Sequence, residues 1–98
     1  MTQHPEFKIR ASDADLKGVY SNSMRVTHTQ EEFVLDFLNI VPADNTGVLV
    51  ARIVTSPEHF KRIVSALKEN LQKYEDRFGE IKSTQEPKET NTIGFKVS

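Results

Sequence analysis

The amino-acid sequence predicts an α+β fold of βββα order. A three-stranded antiparallel meander is followed by one long amphipathic helix packed on the sheet, and the whole is expected to be dimeric. Three observations carry this reading. Between Val19 and Thr55, apolar residues alternate or cluster in short runs broken by turn residues, as in strands. From Ser56 to Gly79 they recur every three or four positions, as on one side of a helix. The second and third strand segments are apolar on both of their alternating faces, which is more than a single helix can cover.

Residues 1–17 are mostly polar, with Phe7, Ile9 and Leu16 as the large apolar anchors. They read as a mostly flexible arm that adds a short edge strand at "FKIRA". In "VYSNSMRVTHT", Tyr20, Met24 and Val26 share one face of a strand, and Ser21, Ser23, Arg25 and Thr27 share the other. "THTQEE" connects to the second strand, "FVLDFLNIV". Pro42 ends that strand, "ADNTG" turns the chain and "VLVARIVT" is the third. Residues 18–81 thus form a single α+β domain. Residues 82–98 have the composition of a flexible tail, in which "IGFKV" reads as a short strand or a docking peptide.

The helix is bounded by chemistry at both ends. Ser56 is a good N-cap, and Pro57 suits the first helical position because its missing N–H needs no partner there. Gly79 suits the left-handed residue that closes a helix, so the limits are Pro57 and Phe78. Phe60, Val64, Leu67, Leu71, Tyr74 and Phe78 are spaced four, three, four, three, four, with Ile63 beside them. Burying such a stripe stabilises by about 10 to 20 kcal/mol before chain entropy is subtracted. The same spacing suits a coiled-coil seam, but it runs for under three heptads, and a sheet is at hand.

On the second strand, Phe33, Leu35, Phe37 and Val41 oppose Val34, Leu38 and Ile40. On the third, Leu49, Ala51 and Ile53 oppose Val48, Val50 and Val54. One helix leaves one of these faces uncovered, and a soluble monomer rarely exposes such a patch. A core of this size is marginal alone, so a homodimer is expected, with Val34, Leu38, Ile40, Val48 and Val50 as its candidate interface.

Thirteen Lys and Arg against fourteen Asp and Glu give a formal net charge of −1, with no general pull toward nucleic acid or acidic lipid. The chain has no cysteine, which excludes disulfides, thiolate metal sites and cysteine nucleophiles. No apolar run approaches the roughly 20 residues that span a bilayer, and a polar stretch follows Met1, so a cytoplasmic protein without membrane contact is expected.

"GVYSNSMRVTHTQEEFVLDFLNIVP" followed by "ARIVTSPEHFKRIVSALKENLQKYEDRFGEI" resembles the domain of unknown function 3467 family of small, mostly bacterial proteins. The resemblance runs from Gly18 to Ile81. It rests on Tyr20-Ser21-Asn22, the strand pair, Pro42, Arg52-Ile53, the helix start "SPEHFKRIV" and the helix end "ENLQKYEDRFG". It departs at Phe60, where the family usually has a small residue. It implies the strand-strand-strand-helix order and brings no assigned activity, substrate or cofactor.

Motifs for chemistry are sparse. His4, His28 and His59 lack the close spacing of a metal site and read as surface or capping residues, so no metal or cofactor is expected. Asp36, among apolar neighbours, is either an inward acid with a raised pKa or the partner of a cross-strand cation, Arg52 or Arg25. There is no nucleophile elbow and no glycine-rich phosphate loop. No catalytic residue is named, and an enzyme would need a pocket gathering Asp36 with His28 or His59.

Arg25, Arg52, Lys61 and Arg62, with Lys68 and Lys73 and with Tyr20 or Tyr74 for stacking, are the candidate contacts for nucleic acid or another partner. Against this, Glu58 precedes Arg62 and Glu69 precedes Lys73 by four, the arrangement of a self-compensated solvated face. The expected role is a non-catalytic, homo-oligomeric structural or protein-interaction module. The tail is a second docking element through Phe95 and Val97. A nucleic-acid-associated regulator is the alternative.

Overall fold

The computed structural model describes residues 6–82. The element order is α1 (Asp13–Lys17), β1 (Ser23–His28), β2 (Phe33–Val41), β3 (Thr46–Thr55) and α2 (Pro57–Phe78), with a 3-10 turn at Pro42–Asp44 between β2 and β3. Three antiparallel strands followed by a long helix are the βββα arrangement that the pattern predicts. The chain divides into two compact units between Phe60 and Lys61.

The first unit holds the sheet, whose order is β1-β2-β3 with both pairs antiparallel. Its core is narrow. Leu35 and Leu38 are the buried apolar residues and Asp36 the buried charged one, all on the central strand. At the β2–β3 corner Asn45 takes φ 51°, in the left-handed region that asparagine tolerates. Phe33 stacks on Phe60 with ring centroids 4.0 Å apart and planes 2° apart, and His28 lies 5.3 Å from the Phe33 ring. Phe60, the departure from the family pattern, is thus spent on an aromatic stack.

Two local expectations are corrected. "FKIRA" forms no strand: residues 7–11 have no regular structure. The arm instead carries α1, set by a capping box in which Ser12 Oγ accepts from the Asp15 N–H and the Asp15 carboxylate accepts from the Ser12 N–H, at 3.1 and 3.0 Å. β1 begins at Ser23 rather than Val19; at Asn22 the backbone N–H still donates to the Leu38 carbonyl at 3.1 Å, and the side chain takes over the pairing with Ile40. Its amide donates to the Ile40 carbonyl and accepts from the Ile40 N–H at 2.9 and 2.8 Å. Ser21 Oγ donates to the Leu38 carbonyl in the same region. Within the Tyr20-Ser21-Asn22 signature, Ser21 and Asn22 therefore fasten the end of the sheet.

The largest correction concerns register. β3 is in step with β2 from Phe33↔Thr55 to Phe37↔Ala51, but the next pair is Leu38↔Leu49, so Val50 is an extra residue at a bulge. A bulge moves every later side chain of its strand to the other face. Leu49 therefore lies with Leu38, and Val48 lies with Asn39, the reverse of simple alternation. Gly47 faces Ile40: a Cβ there would come within 2.6 Å of the Ile40 Cδ1 atom, so the absent side chain makes room for that isoleucine.

The second unit contains the rest of α2. Its limits are as expected, with Ser56 Oγ accepting from the His59 N–H at 3.2 Å and Gly79 at φ 97° donating to the Glu75 carbonyl at 2.8 Å. Glu69 and Lys73 pair at 3.5 Å, and Gln72 donates to Asp76 at 2.8 Å. Residues 83–98, with Phe95 and Val97, lie outside the described residues, as does His4.

Candidate functional site

The cross-strand register sorts the sheet into two unlike faces. On the first, Met24 pairs with Phe37 and Ala51, Val26 with Leu35 and Ile53, and His28 with Phe33 and Thr55. No residue of these three rows is an acid, a lysine or an arginine. Met24, Val26 and Ile53 keep 39 to 50 % of their surface exposed.

On the second face, Arg25, Asp36 and Arg52 form one row across all three strands. Arg52 grips the carboxylate with both arms of its guanidinium, Nε to Oδ1 at 2.6 Å and Nη2 to Oδ2 at 2.9 Å. Asp36 is 2 % exposed, so burial pushes its pKa up. The Arg52 hydrogen bonds outweigh that and hold it below the usual carboxylate value, helped by the charges of Arg52 and Arg25. Asp36 is therefore the paired carboxylate of the two sequence alternatives, not the raised acid. Arg52 in turn is held more firmly protonated by Asp36.

The structure separates the groups that an enzyme reading needs together. His28 lies on the face of Phe33, and Asp36 on the opposite one. His59 contributes its backbone N–H to the Ser56 cap. A shallow open hollow lined by Val19, Ser21, Asn22, Ser23, Met24 and Phe37 contains no titratable side chain. Among the described residues, no cluster of three or more histidines, cysteines or carboxylates is placed to hold a metal ion. No described helix is long and apolar enough to cross a membrane.

The candidate contacts are divided in the same way. Arg25 and Arg52 are brought together around Asp36, whereas Lys61 and Arg62 stand on α2 in the other unit. Of the five candidate interface residues, Val34, Leu38 and Ile40 share the Asp36 face. Val48 lies on the other face, and Val50 sits at the bulge.

One exposed apolar feature is a stripe that the sequence assigned to burial. No residue of α2 is buried. Along its stripe Leu67 is 62 % exposed, Leu71 48 %, Tyr74 48 % and Phe78 65 %, and Ile81 continues it at 51 %. Tyr74 and Phe78 touch each other at 5.0 Å, and Arg77 lies over the Phe78 ring.

Sheet and helix together define a small βββα module with one ion-paired sheet face, one apolar face and an uncovered helix stripe. The model of the family described as Protein of unknown function (DUF3467) matches residues 1–83, and the chain belongs to that family. The match includes the arm as well as the stretch from Gly18 to Ile81. Comparison with curated proteins and with solved structures gave no match.

Proposed function

We propose that this protein is a non-catalytic structural or protein-interaction module that works in the cytoplasm as a homodimer. The observation that carries the reading is the α2 stripe. Side chains at four-three spacing that a folded chain normally buries are 48 to 65 % exposed from Leu67 to Phe78. The apolar rim of the first sheet face, Met24, Val26 and Ile53, repeats the same signal. Large apolar patches of this kind mark association surfaces. The tail, with Phe95 and Val97, extends the reading to a partner protein that accepts an added strand.

Light scattering over a dilution series of the full chain tests the reading. A mass of twice 11.2 kDa, the single-chain mass, is expected throughout the micromolar range. A single-chain mass at every concentration overturns it.

The nucleic-acid alternative ranks second because the Arg52 guanidinium is already engaged by Asp36, and phosphate binding needs uncompensated positive charge. Affinity for DNA or RNA that falls steeply with salt reverses that ranking.

A further inference from the structure

Resting on the homodimer reading, we infer that the dimer is reciprocal: the α2 stripe of each copy lies on the first sheet face, that of Met24, Val26 and Ile53, of a second copy of this chain. Three observations select this arrangement over helix-on-helix or sheet-on-sheet pairing.

The first is chemical match. The rows Met24–Phe37–Ala51 and Val26–Leu35–Ile53 carry no charge, and neither do Leu67, Leu71, Tyr74 and Phe78. The opposite sheet face would set the Arg25–Asp36–Arg52 row against that stripe and strip a half-exposed guanidinium of water without a new partner.

The second is dimension. From Leu67 to Phe78 a helix rises about 17 Å, and a helix is about 10 Å wide. The rows from Met24 to His28 extend about 14 Å along the strands, and three strands are about 10 Å across. One helix matches that face in size, and what remains exposed for it there is the rim of Met24, Val26, Val48 and Ile53, since Leu35 is already buried and Phe33 already stacked on Phe60.

The third is coverage. Helix-on-helix pairing leaves the sheet rim wet, and sheet-on-sheet pairing leaves the helix wet. A two-fold axis repeats any heterologous contact, so helix on partner sheet occurs twice and covers both surfaces. Four helix side chains and Met24, Val26, Val48 and Ile53, about half exposed and about 200 Å² each in full, give about 800 Å² per junction. Two junctions reach about 1,600 Å², the standard size of a stable interface.

Complementation tests the arrangement. Leu71→Asp spoils the helix side and Ile53→Lys the sheet side. Both positions are about half exposed in the single chain, so each variant is expected to fold, with circular dichroism as the check. In a reciprocal dimer, each variant alone carries two spoiled junctions, and its dissociation constant rises about 100-fold. Mixed, they form a heterodimer with one wild-type junction and one in which Asp meets a face bearing Lys, and light scattering shows the dimer mass restored.

Other outcomes overturn the inference. If Ile53→Lys dimerises alone while Leu71→Asp does not, helix pairs with helix. If the reverse holds, sheet pairs with sheet. If both dimerise alone, or the mixture stays monomeric, neither junction is real. A wild-type chain that is itself monomeric defeats the dimer reading first, and the dilution series reports that separately.

Discussion

Asp36 is a carboxylate in the middle of an apolar strand, and Arg52 makes it tolerable. An unpaired buried charge is expensive, whereas a two-pronged guanidinium satisfies both oxygens at once. Because the folded-state pKa lies below the ordinary aspartate value, this contribution is fully present above the unfolded value and is lost as pH falls through the folded one. The urea midpoint at fixed protein concentration should therefore be flat from about pH 7 to 5 and drop below about pH 4. Asp15, lowered by the Ser12 N–H, titrates in the same window, so the comparison of wild type with Asp36→Asn isolates Asp36. That variant should lose about 1 to 2 kcal/mol at pH 7, as charge-assisted bonds become neutral ones, and show a shallower acid limb. Arg52→Met should cost more, because it leaves the carboxylate buried without its partner, whereas Asp36→Asn leaves only an arginine that reaches water. Equal losses for the two variants would contradict this account. The sequence already allowed the pair. The choice between Arg25 and Arg52 waited for side-chain geometry, since the register places both beside Asp36.

Among the elements, α2 shows what single residues decide. Its cap and its closing glycine act within one turn, so Ser56→Ala should remove about 1 kcal/mol through the lost bond to His59 N–H. Gly79→Ala, forced to φ 97°, should cost about as much. Thermal unfolding followed by circular dichroism checks both, at about 4 to 8 °C per kcal/mol for a chain of this size. An unchanged transition for Ser56→Ala would mean the cap contributes nothing. Both limits of α2 were legible because capping chemistry is local. α1 was missed although Ser12 and Asp15 have the spacing of a capping box, because five residues with a single leucine give no periodicity to read. The bulge at Val50 was illegible for a different reason. In "VLVARIVT" each residue suits either face, so composition cannot reveal that one is extra, and only pairing with β2 does so. That one residue moved Val48 away from Val34, Leu38 and Ile40 and divided the candidate interface.

At the scale of the whole molecule, the sequence correctly identified a surplus of apolar surface but placed it differently. It expected the helix stripe to be spent and one sheet face to be left over, while the structure leaves the stripe from Leu67 to Phe78 exposed. Periodicity shows that a helix wants a partner, and it does not say which molecule supplies one. If a second copy does, association adds to the stability of the folded chain, and stability depends on concentration. A tenfold increase in protein should add about 1.4 kcal/mol per dimer, which moves the urea midpoint up by about 0.5 M. Leu71→Asp should abolish that dependence, since a chain that cannot pair unfolds at a midpoint independent of concentration. Coincident wild-type midpoints across a hundredfold range would show that the chain unfolds alone. In that case the exposed stripe must serve a different protein, and the tail beyond residue 82 becomes the place to look for how that partner is held.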